Sequence, residues 1–540
     1  MKLKDPDYIA CGVLVIGGGV AGLRAAIAAR EQGASVVMVC KSGVGLGNNS
    51  VLAKGGLSAA LVEEDSPDIH MQDTLKAGCF INDAKLVSIM TSRMRNELSF
   101  LKKSGIRFQQ DEKNILVQSA GGHSQRRFLR SEKSCGSDYT VPLKAYALKI
   151  GVKFLEKIFI SRLFIEEKST TGAFGLDREG NSYVFQTRAI VLATGGLGQI
   201  YLHTDNAVST TGDGYALAFH SGIFLKDMEF IQFYPTTIRG IRILNYQSFI
   251  INAGAVIRNS LAEDVLSKHG ITDPIIMTRD RVARALMTEI LEKHDVQGGL
   301  VMDMSSVTEA NLQRYRHLLP AEAILGKKQF IIMPTTHFTM GGVVIDEDAM
   351  TSVSGLFACG EVTGGIHGAN RVSGNAFSEA FTMGALSGNN AACFAKGKSI
   401  KKADSVDVLE ENERLDSLFG HHDNASIMEL GNSLKEITWH DMGIIRSKSG
   451  LERTINGIKE LQSRSLAIRP NTIKGLIKRM ELDNMLLSAE MVSKAALART
   501  ESRGAHYRQD YPHEDPDWMA NIVIGSDNGE IIVEKKPIHR

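Results

Sequence analysis

The stretch GVLVIGGGVAG, at positions 12–22, decides the fold. It opens with an apolar run that stops at three glycines, and an alanine-rich helical pattern continues from Gly22 to about Gln32. A second β-branched apolar run, Ala34–Cys40, follows. Continuous apolar strands are typical of a parallel sheet that is covered on both faces. The stretch therefore predicts a strand–helix–strand unit at the start of an α/β fold.

The glycines of this turn indicate a phosphate-binding site. Gly17, Gly19 and Gly22 form a GxGxxG pattern between the predicted strand and helix. Glycines let the backbone approach a pyrophosphate, and the helix N-terminus supplies N–H groups and the positive end of its dipole. The acidic residue that NAD-binding folds carry about 20 positions later is absent, and Lys41 follows the second strand, which disfavours NAD. A glycine-rich turn without a ligand is the alternative.

Two later segments resemble the end of the first strand. Ala189–Leu192 is an apolar run followed by TGG at 194–196, and Leu356–Ala358 runs into CGE at 359–361. In an open α/β sheet, ligands bind at the carboxyl ends of the strands. We therefore expect these widely separated glycine turns to meet at one site.

The length of 540 residues exceeds what one hydrophobic core supports, so several domains are expected. The pattern predicts a Rossmann-like nucleotide-binding domain made of residues 1–235 and 338–404. An α+β capping domain, 236–337, is inserted into it. Residues 405–505 have helical periodicity and are predicted to form a helical domain, and 506–540 form a C-terminal tail with two strand-like runs.

Composition excludes several classes of function. The chain has 62 basic and 61 acidic side chains, which gives no bulk attraction for nucleic acid or an acidic membrane. Its six cysteines form no CxxC pair, so no metal site or iron–sulfur cluster of its own is expected. We see no signal peptide and no apolar stretch of the roughly 18 residues that a transmembrane helix needs. With scattered, reduced thiols, this predicts a cytoplasmic protein.

Six ordered motifs carry a resemblance to a known family. They are NSVLAKGG (49–56), TGDG (211–214), MEFIQ (228–232), THFTMGG (336–342), HGANR (367–371) and RTESRGAH (499–506). With these motifs the sequence resembles the flavoprotein subunits of succinate dehydrogenase and fumarate reductase, a family that also contains L-aspartate oxidase. The resemblance extends from Val13 to about Trp518.

The resemblance implies that FAD is the dinucleotide. The residues implied to bind it are Gly17, Gly19, Ala21, Gly22, Lys41, Asn49, Ser50, Gly55, Gly56, Asp213, Glu361, Gly374, Asn375 and Ala376. The carboxylate of Glu361 can accept hydrogen bonds from ribose hydroxyls, and turn amides can neutralise phosphate or flavin oxygens. The respiratory enzymes bond their flavin to a histidine where this chain has Asn49. Because an amide nitrogen is not nucleophilic, we predict dissociable FAD.

The family's chemistry implies a hydride transfer between flavin N5 and a C–C bond beside a carboxylate, with a proton moved at the neighbouring carbon. Arg279 matches the arginine that carries this proton. His337 and Arg371 match the pair that holds and polarises one substrate carboxylate. The alternative for Arg279 is a surface arginine at a helix start, paired with Asp280.

The other end of the implied substrate site departs from the family. Tyr234 replaces a histidine, and Tyr246 and Gln247 stand where the family has threonine and glutamate. Two phenols and an amide form a poorer anion site than histidine and threonine. We therefore expect a substrate with one carboxylate and a less charged second end. Alternatively, the tyrosine hydroxyls donate the same hydrogen bonds and a dicarboxylate is retained.

A further departure concerns L-aspartate oxidase. The loop GGHSQRR, at 121–127, resembles that of the oxidase, in which a glutamate before the paired glycines binds the substrate ammonium. Here Ala120 takes that place, so aspartate is a poor candidate.

These observations predict an FAD-dependent enzyme of the fumarate reductase and succinate dehydrogenase type. Because the chain has no cluster ligands, its electrons are expected to pass through a separate iron–sulfur subunit. Such a partner would also provide any contact with the cytoplasmic face of a membrane. One alternative is an electron-relay flavin subunit with a degraded substrate site, and another is L-aspartate oxidase.

Overall fold

The computed structural model describes residues 3–112, 114–238, 242–243, 247–273, 277–316, 319, 321–400, 402–420 and 425–538. The strands are β1 (Asp7–Ile16), β2 (Val36–Cys40), β3 (Gly56–Ser58), β4 (Gln110–Asp111), β5 (Asn114–Ile115), β6 (Phe128–Arg130), β7 (Lys153–Glu156), β8 (Ile158–Glu166), β9 (Ser169–Asp177), β10 (Ser182–Leu192), β11 (Leu225–Lys226), β12 (Ile231–Ile238), β13 (Arg242–Ile243), β14 (Val256–Arg258), β15 (Leu300–Asp303), β16 (Gln329–Thr339), β17 (Gly342–Val343), β18 (Leu356–Ala358), β19 (Ala520–Asp527) and β20 (Glu530–Pro537).

The helices alternate with these strands in the first half of the chain and dominate its last third. They are α1 (Val20–Glu31), α2 (Asn49–Leu52), α3 (Pro67–Ala77), α4 (Ala84–Lys103), α5 (Ser137–Lys149), α6 (Asp213–His220), α7 (Val265–Lys268), α8 (Arg279–Leu291), α9 (Glu309–Arg314), α10 (Ala321–Ile324), α11 (Asn375–Ala395), α12 (Ser405–Ser417), α13 (Ala425–Asp441), α14 (Lys448–Leu466) and α15 (Ile473–Ala498).

A parallel sheet in the order β7-β2-β1-β10-β18 forms the centre of the nucleotide-binding fold. Its apolar strands are buried at successive positions, as their continuous apolar runs predict, and α1 and α11 pack against the sheet. Ile16 of β1 pairs with Leu192 of β10, and Leu192 pairs with Ala358 of β18. The three strands therefore end level with one another, and the glycine turns that follow them meet at one edge. The α/β Rossmann-like fold class is confirmed.

The inserted region is built on a second sheet, in the order β13-β12-β16-β15-β14. It packs with α8 around a hydrophobic core separate from that of the first sheet. β12 and β16 extend across the two predicted boundaries of the insert, so they connect the capping region directly to the nucleotide-binding fold.

Helices α12–α15 follow, and the C-terminal hairpin β19–β20 then returns to the first domain. Its strand β19 pairs with β11, which also pairs with β17. Ile522 and Ile524 of β19 are buried in this four-stranded sheet, so the predicted tail is a folded part of the core. None of the helices among the described residues is long and apolar enough to span a bilayer.

Candidate functional site

One cavity of about 2250 Å³ connects the glycine turn after β1 with the capping region. It exceeds the about 300–1,000 Å³ of an ordinary ligand pocket, so a dinucleotide and a small substrate fit together. The predicted site residues that line it are Gly17, Gly19, Ala21, Lys41, Asn49, Ser50, Gly56, Ala120, Asp213, Tyr234, Arg279, His337, Glu361, Arg371, Gly374 and Ala376. Gly22, Gly55 and Asn375 lie behind the wall of the cavity.

The turn between β1 and α1 has the geometry of a pyrophosphate site. Gly17 adopts a φ of +127°, and a Cβ there would lie 2.0 Å from the carbonyl oxygen of Ala193. A Cβ at Gly22 would lie 2.2 Å from the carbonyl oxygen of Gly17. The N-cap residue Gly19 offers no side chain to the helix, and the Ser50 hydroxyl accepts from the Val20 N–H at 3.1 Å. Glycine is thus required where the backbone must pass close to its neighbours and face an anion.

Lys41, at the carboxyl end of β2, is held by acidic side chains. Its Nζ lies 2.6 Å from Asp213 and 2.9 Å from Glu481 of α15. Burial alone would lower the pKa of the Lys41 ammonium, but the two carboxylates raise it above its ordinary value. Lys41 and Asp213, which were each predicted to bind FAD, therefore form an ion pair at the cavity wall. Glu481 lies in no recognisable motif, so the sequence offered no sign of its part in this cluster.

Asn49 and Glu361 contact one another across the cavity wall. The Asn49 amide donates to Asn206 Oδ1 at 2.6 Å and to Glu361 Oε2 at 3.4 Å, and its oxygen accepts from the Ala207 N–H at 2.8 Å. Glu361 Oε1 accepts from the Thr339 N–H at 3.1 Å. Burial raises the pKa of Glu361 to about 7. Near neutral pH this carboxyl can therefore both donate and accept hydrogen bonds.

Two further glycine positions bring backbone close to the centre of the cavity. Gly56 begins β3, and a Cβ there would lie 2.1 Å from the ring of Phe128. Gly374, with a φ of +85°, is the N-cap of the long buried helix α11, whose first turn points toward the cavity. The Asn375 side chain instead donates to Thr74 Oγ1 at 2.9 Å. Only the backbone of Asn375 is thus available to a ligand.

The two predicted arginines of the substrate site share one acceptor. Gln232 Oε1 accepts from Arg279 Nη1 at 2.7 Å and from Arg371 Nη2 at 2.8 Å. Its amide nitrogen donates to Asn370 Oδ1 at 2.9 Å and to the Arg371 carbonyl at 3.0 Å, which fixes the orientation of the amide. Arg279 also donates to Ser373 Oγ at 3.1 Å. Sequence reasoning missed Gln232 as a site residue, although it belongs to the MEFIQ motif.

The charges of these arginines are not neutralised by ion pairs with the described residues. Asp280, the alternative partner of Arg279, accepts a hydrogen bond from Asn370 at 2.8 Å. The buried Nε of Arg371 has no hydrogen-bond partner among the described residues. Burial, with the charge of Arg279 nearby, holds the pKa of Arg371 well below its ordinary range. The arrangement is suited to an anionic ligand.

His337, on β16, completes the group. Its Nδ1 lies 2.9 Å from Asp205 Oδ2, and its ring centroid lies 5.2 Å from that of Tyr234. Because an ionised carboxylate only accepts, Nδ1 carries the hydrogen and Nε2 is left for a ligand. Burial lowers the pKa of His337, and the charge of Asp205 opposes this effect. Asp205 is a second residue that lies in no motif singled out in the sequence.

The substituted end of the site is described in part. Tyr234 is buried, and its ring lies 5.4 Å from the guanidinium carbon of Arg279. Ala120 lies in the cavity wall before the paired glycines. Tyr246 and the side chain of Gln247 lie outside the described residues.

Comparisons with known proteins identify the family to which this fold belongs. Residues 12–377 match a family model described as an FAD binding domain, and 431–540 match one described as the fumarate reductase flavoprotein C-terminal region. The chain is similar to one subunit of the fumarate reductase (CoM/CoB) of Methanothermobacter marburgensis, with 33% identity over 96% of this chain and 98% of that protein. It is also similar to the L-aspartate oxidase of Saccharolobus solfataricus, with 30% identity over 93% of this chain and 97% of that protein.

Among solved structures, a mutant of the E. coli quinol fumarate reductase has a similar fold. The TM-score is 0.90 at 25% identity, and the match covers 98% of this chain and 97% of that chain. The likeness thus includes the nucleotide-binding fold, the capping region and the helices that follow.

Proposed function

Because the chain belongs to the family of fumarate reductase and succinate dehydrogenase flavoproteins, we propose that it exchanges a hydride with a substrate C–C bond beside a carboxylate. FAD is its cofactor, and the chain is an oxidoreductase. When bound, the flavin supplies the atom that accepts or gives the hydride. The protein then has to bind the acid, orient it and move one proton.

The observation that carries the proposal is the group formed by Arg279, His337 and Arg371 at the capping end of the dinucleotide cavity. Arg371 is buried without an ion-pair partner among the described residues, and Arg279 shares its acceptor. A buried charge is costly unless it is paired. A substrate carboxylate would supply that pair, and a neutral substrate would not.

We assign the binding of this carboxylate to Arg371 and His337. With Nδ1 bound to Asp205, only the imidazolium form of His337 can donate from Nε2 to an anion. Binding is therefore accompanied by protonation of His337. Two cationic donors on the carboxylate withdraw electrons from the adjacent bond and stabilise the charge that develops during transfer.

We assign the proton to Arg279. Its guanidinium is held by two neutral acceptors, Gln232 and Ser373, and by the face of the Tyr234 ring. A fixed guanidinium can give a proton to the carbon beside the hydride acceptor and regain it from solvent.

A reductant assay tests this proposal directly. FAD-loaded protein is supplied with reduced viologen and a panel of fumarate, aspartate and monocarboxylic enoates. Arg279→Lys should abolish turnover, because the lysine side chain is shorter and its ammonium lacks the planar fork of donors that holds the guanidinium in place. The FAD content should be unchanged. The control is Arg284→Lys on the same helix, whose guanidinium lies over the Tyr507 ring. Full turnover by Arg279→Lys would contradict the proton role.

We further propose that FAD is bound without a covalent link. Support comes from Asn49, which has no nucleophilic nitrogen and whose amide is already bonded to Asn206 and Ala207. Acid precipitation should leave the yellow colour in the supernatant. Colour that stays with the precipitate would contradict this.

We propose that an iron–sulfur subunit exchanges electrons with the flavin. The Methanothermobacter relative is itself named as one subunit of a reductase. Within the part of the chain that is described, the single cluster with metal-ligand spacing is Glu289, Glu292 and His294, which contains no cysteine. The scattered free cysteines support a cytoplasmic location, and such a partner would provide any contact with the cytoplasmic face of a membrane. Co-purification of a cysteine-rich protein with the tagged chain would support this assignment.

Two alternatives remain separable by the same assay. An electron-relay subunit has no need of an arginine–histidine clamp, and it would show no turnover with any acid. L-Aspartate oxidase has support from three similar proteins of that name, but Ala120 offers no charge for the substrate ammonium. Turnover with aspartate above that with fumarate would favour the oxidase.

A further inference from the structure

A third arginine, Arg130, lines the same cavity from the wall formed by β6. It is only 8% exposed and lies opposite Gly56 in the β3–β6 pair. Its guanidinium carbon lies 5.0 Å from the centroid of the Phe128 ring, which projects from the same face of the strand. Because Arg130 lies outside the family motifs, no sequence pattern singled it out.

The guanidinium of Arg130 is poorly satisfied. Among the described residues its one hydrogen bond runs from Nε to Gln118 Oε1 at 3.3 Å, and it forms no ion pair with any of them. Burial lowers the pKa of Arg130, and the hydroxyls of Tyr234 and Tyr139 oppose this. The two Nη groups are thus available to a ligand in the cavity.

The neighbouring Arg127 shows what a structural arginine looks like in this fold. It is fully buried, and its guanidinium binds Asp65 through two hydrogen bonds of 2.6 and 2.9 Å and also pairs with Asp73. Its charge is therefore compensated within the protein. A buried arginine without such partners implies an anion from outside, because an uncompensated buried charge is expensive.

The position of Arg130 relates it to the substrate rather than to a separate site. Its Nε bonds to Gln118, two residues before Ala120, and both of these residues line the cavity at the predicted substrate pocket. Tyr234, whose ring contacts Arg279 and His337, lines the same cavity and acts to raise the pKa of Arg130. Arg130 is therefore assigned to the substrate end of the cavity.

We propose that Arg130 binds a second acidic group of the substrate, at the end opposite the carboxylate held by Arg371 and His337. This inference rests on the proposed function and identifies the substrate class as an unsaturated or saturated diacid. Arg130 on β6 thereby supplies the positive charge that the family's histidine would provide at the position of Tyr234. A diacid substrate differs from the expectation based on sequence, which was a substrate with one carboxylate and a less charged second end.

Fumarate and crotonate form a matched pair of probes, since both are four-carbon trans-enoates and differ in a carboxylate against a methyl group. Each is titrated into oxidised, FAD-loaded protein, and binding is read from the flavin absorbance. Wild-type protein should bind fumarate on the order of 10- to 100-fold more tightly than crotonate, the ratio expected for hydrogen bonds to a charged group. Arg130→Met should remove this preference and leave the Kd of crotonate unchanged.

Controls separate this inference from the proposed function. Arg126→Met removes an exposed arginine paired with Glu64 and should keep the preference for fumarate. Arg130→Lys keeps the charge and should retain part of the preference, which provides a second measurement if Arg130→Met does not fold. Arg371→Met should weaken both ligands.

Three outcomes would overturn the inference. If Arg130→Met keeps the preference for fumarate, Arg130 does not bind the second acidic group. The proposed binding of the first carboxylate by Arg371 and His337 would be unaffected by that result. If it instead lowers FAD affinity and keeps the preference, Arg130 holds the flavin. If neither acid perturbs the wild-type flavin, the proposed function and this inference fail together.

Discussion

Replacement of Gln232 by methionine would test how the two arginines of the site are held. Methionine is close to glutamine in length and shape but supplies neither the acceptor nor the donor of the amide. The change removes the hydrogen bonds of 2.7 Å from Arg279 and 2.8 Å from Arg371, together with the two bonds that orient the amide. Both guanidiniums would then lose the acceptor that holds them together, and their mutual repulsion would favour separation, with Arg279 kept only by Ser373 and the Tyr234 ring.

The magnitude follows from the two charged hydrogen bonds. Each contributes about 1.5–3 kcal/mol, and the pair is not additive because both bonds share one oxygen. We expect a loss of transition-state stabilisation of about 2–4 kcal/mol, which is about 30- to 1,000-fold in kcat/KM. Because Gln232 holds the arginine assigned to proton transfer as well as the one assigned to binding, kcat should fall and KM should rise.

Steady-state viologen oxidation with fumarate, with FAD content measured on the same samples, provides the assay. Gln32→Met, at an exposed position, is the control for the substitution itself. Gln232→Glu is a second variant, whose carboxylate would neutralise charge that attracts the substrate and should raise KM strongly. A Gln232→Met protein with full FAD content and kcat/KM within threefold of wild type would refute the reasoning.

Three further predictions concern the rest of the cavity. Lys41→Met should lower the free energy of unfolding in urea by about 3 kcal/mol, since it removes the ammonium that the largely buried carboxylates of Asp213 and Glu481 share. Lys85, whose ion pair is exposed, provides the control, and Lys85→Met should leave the free energy of unfolding nearly unchanged. Equal losses in the two variants would contradict this. Burial raises the pKa of Glu361 from 4.5 to about 7, so the folded chain keeps a proton that the unfolded chain releases, and stability falls as pH rises through this interval. Glu361→Gln should remove about 3 kcal/mol of this pH-dependent loss of stability. In FAD-free protein, the Tm of the variant should therefore depend less on pH than the Tm of wild type. Parallel curves of Tm against pH for the two proteins would contradict the prediction. Burial lowers the pKa of His337, and the charge of Asp205 opposes this effect. Asp205→Asn should therefore lower the pKa of His337 further, so that KM begins to rise at a lower pH than in wild type. A KM profile that does not move would contradict the role of the His337 imidazolium as a donor to the substrate.

Most of the site residues that the family motifs implied line the cavity. Gly17 shows why such residues can be predicted from sequence. Its positive φ and its close approach to Ala193 require glycine, and this requirement is visible in the sequence as a single type of residue at a single position. The roles of these residues stay predictions, as do the domain boundaries. Tyr246 and the Gln247 side chain lie outside the described residues.

The sequence by itself determined the dinucleotide-binding turn, the alternation of strands and helices, and the family, because these depend on residues that are close in the chain or conform to short patterns. The tertiary structure decided which side chains meet. Asp205 reaches His337 across 132 residues, and Gln232 reaches Arg371 across 139. Arg130 stands without a carboxylate among the described residues while Arg127, three positions earlier, has two. No local pattern encodes that difference, since burial and pairing arise only when distant strands, loops and helices pack around one cavity.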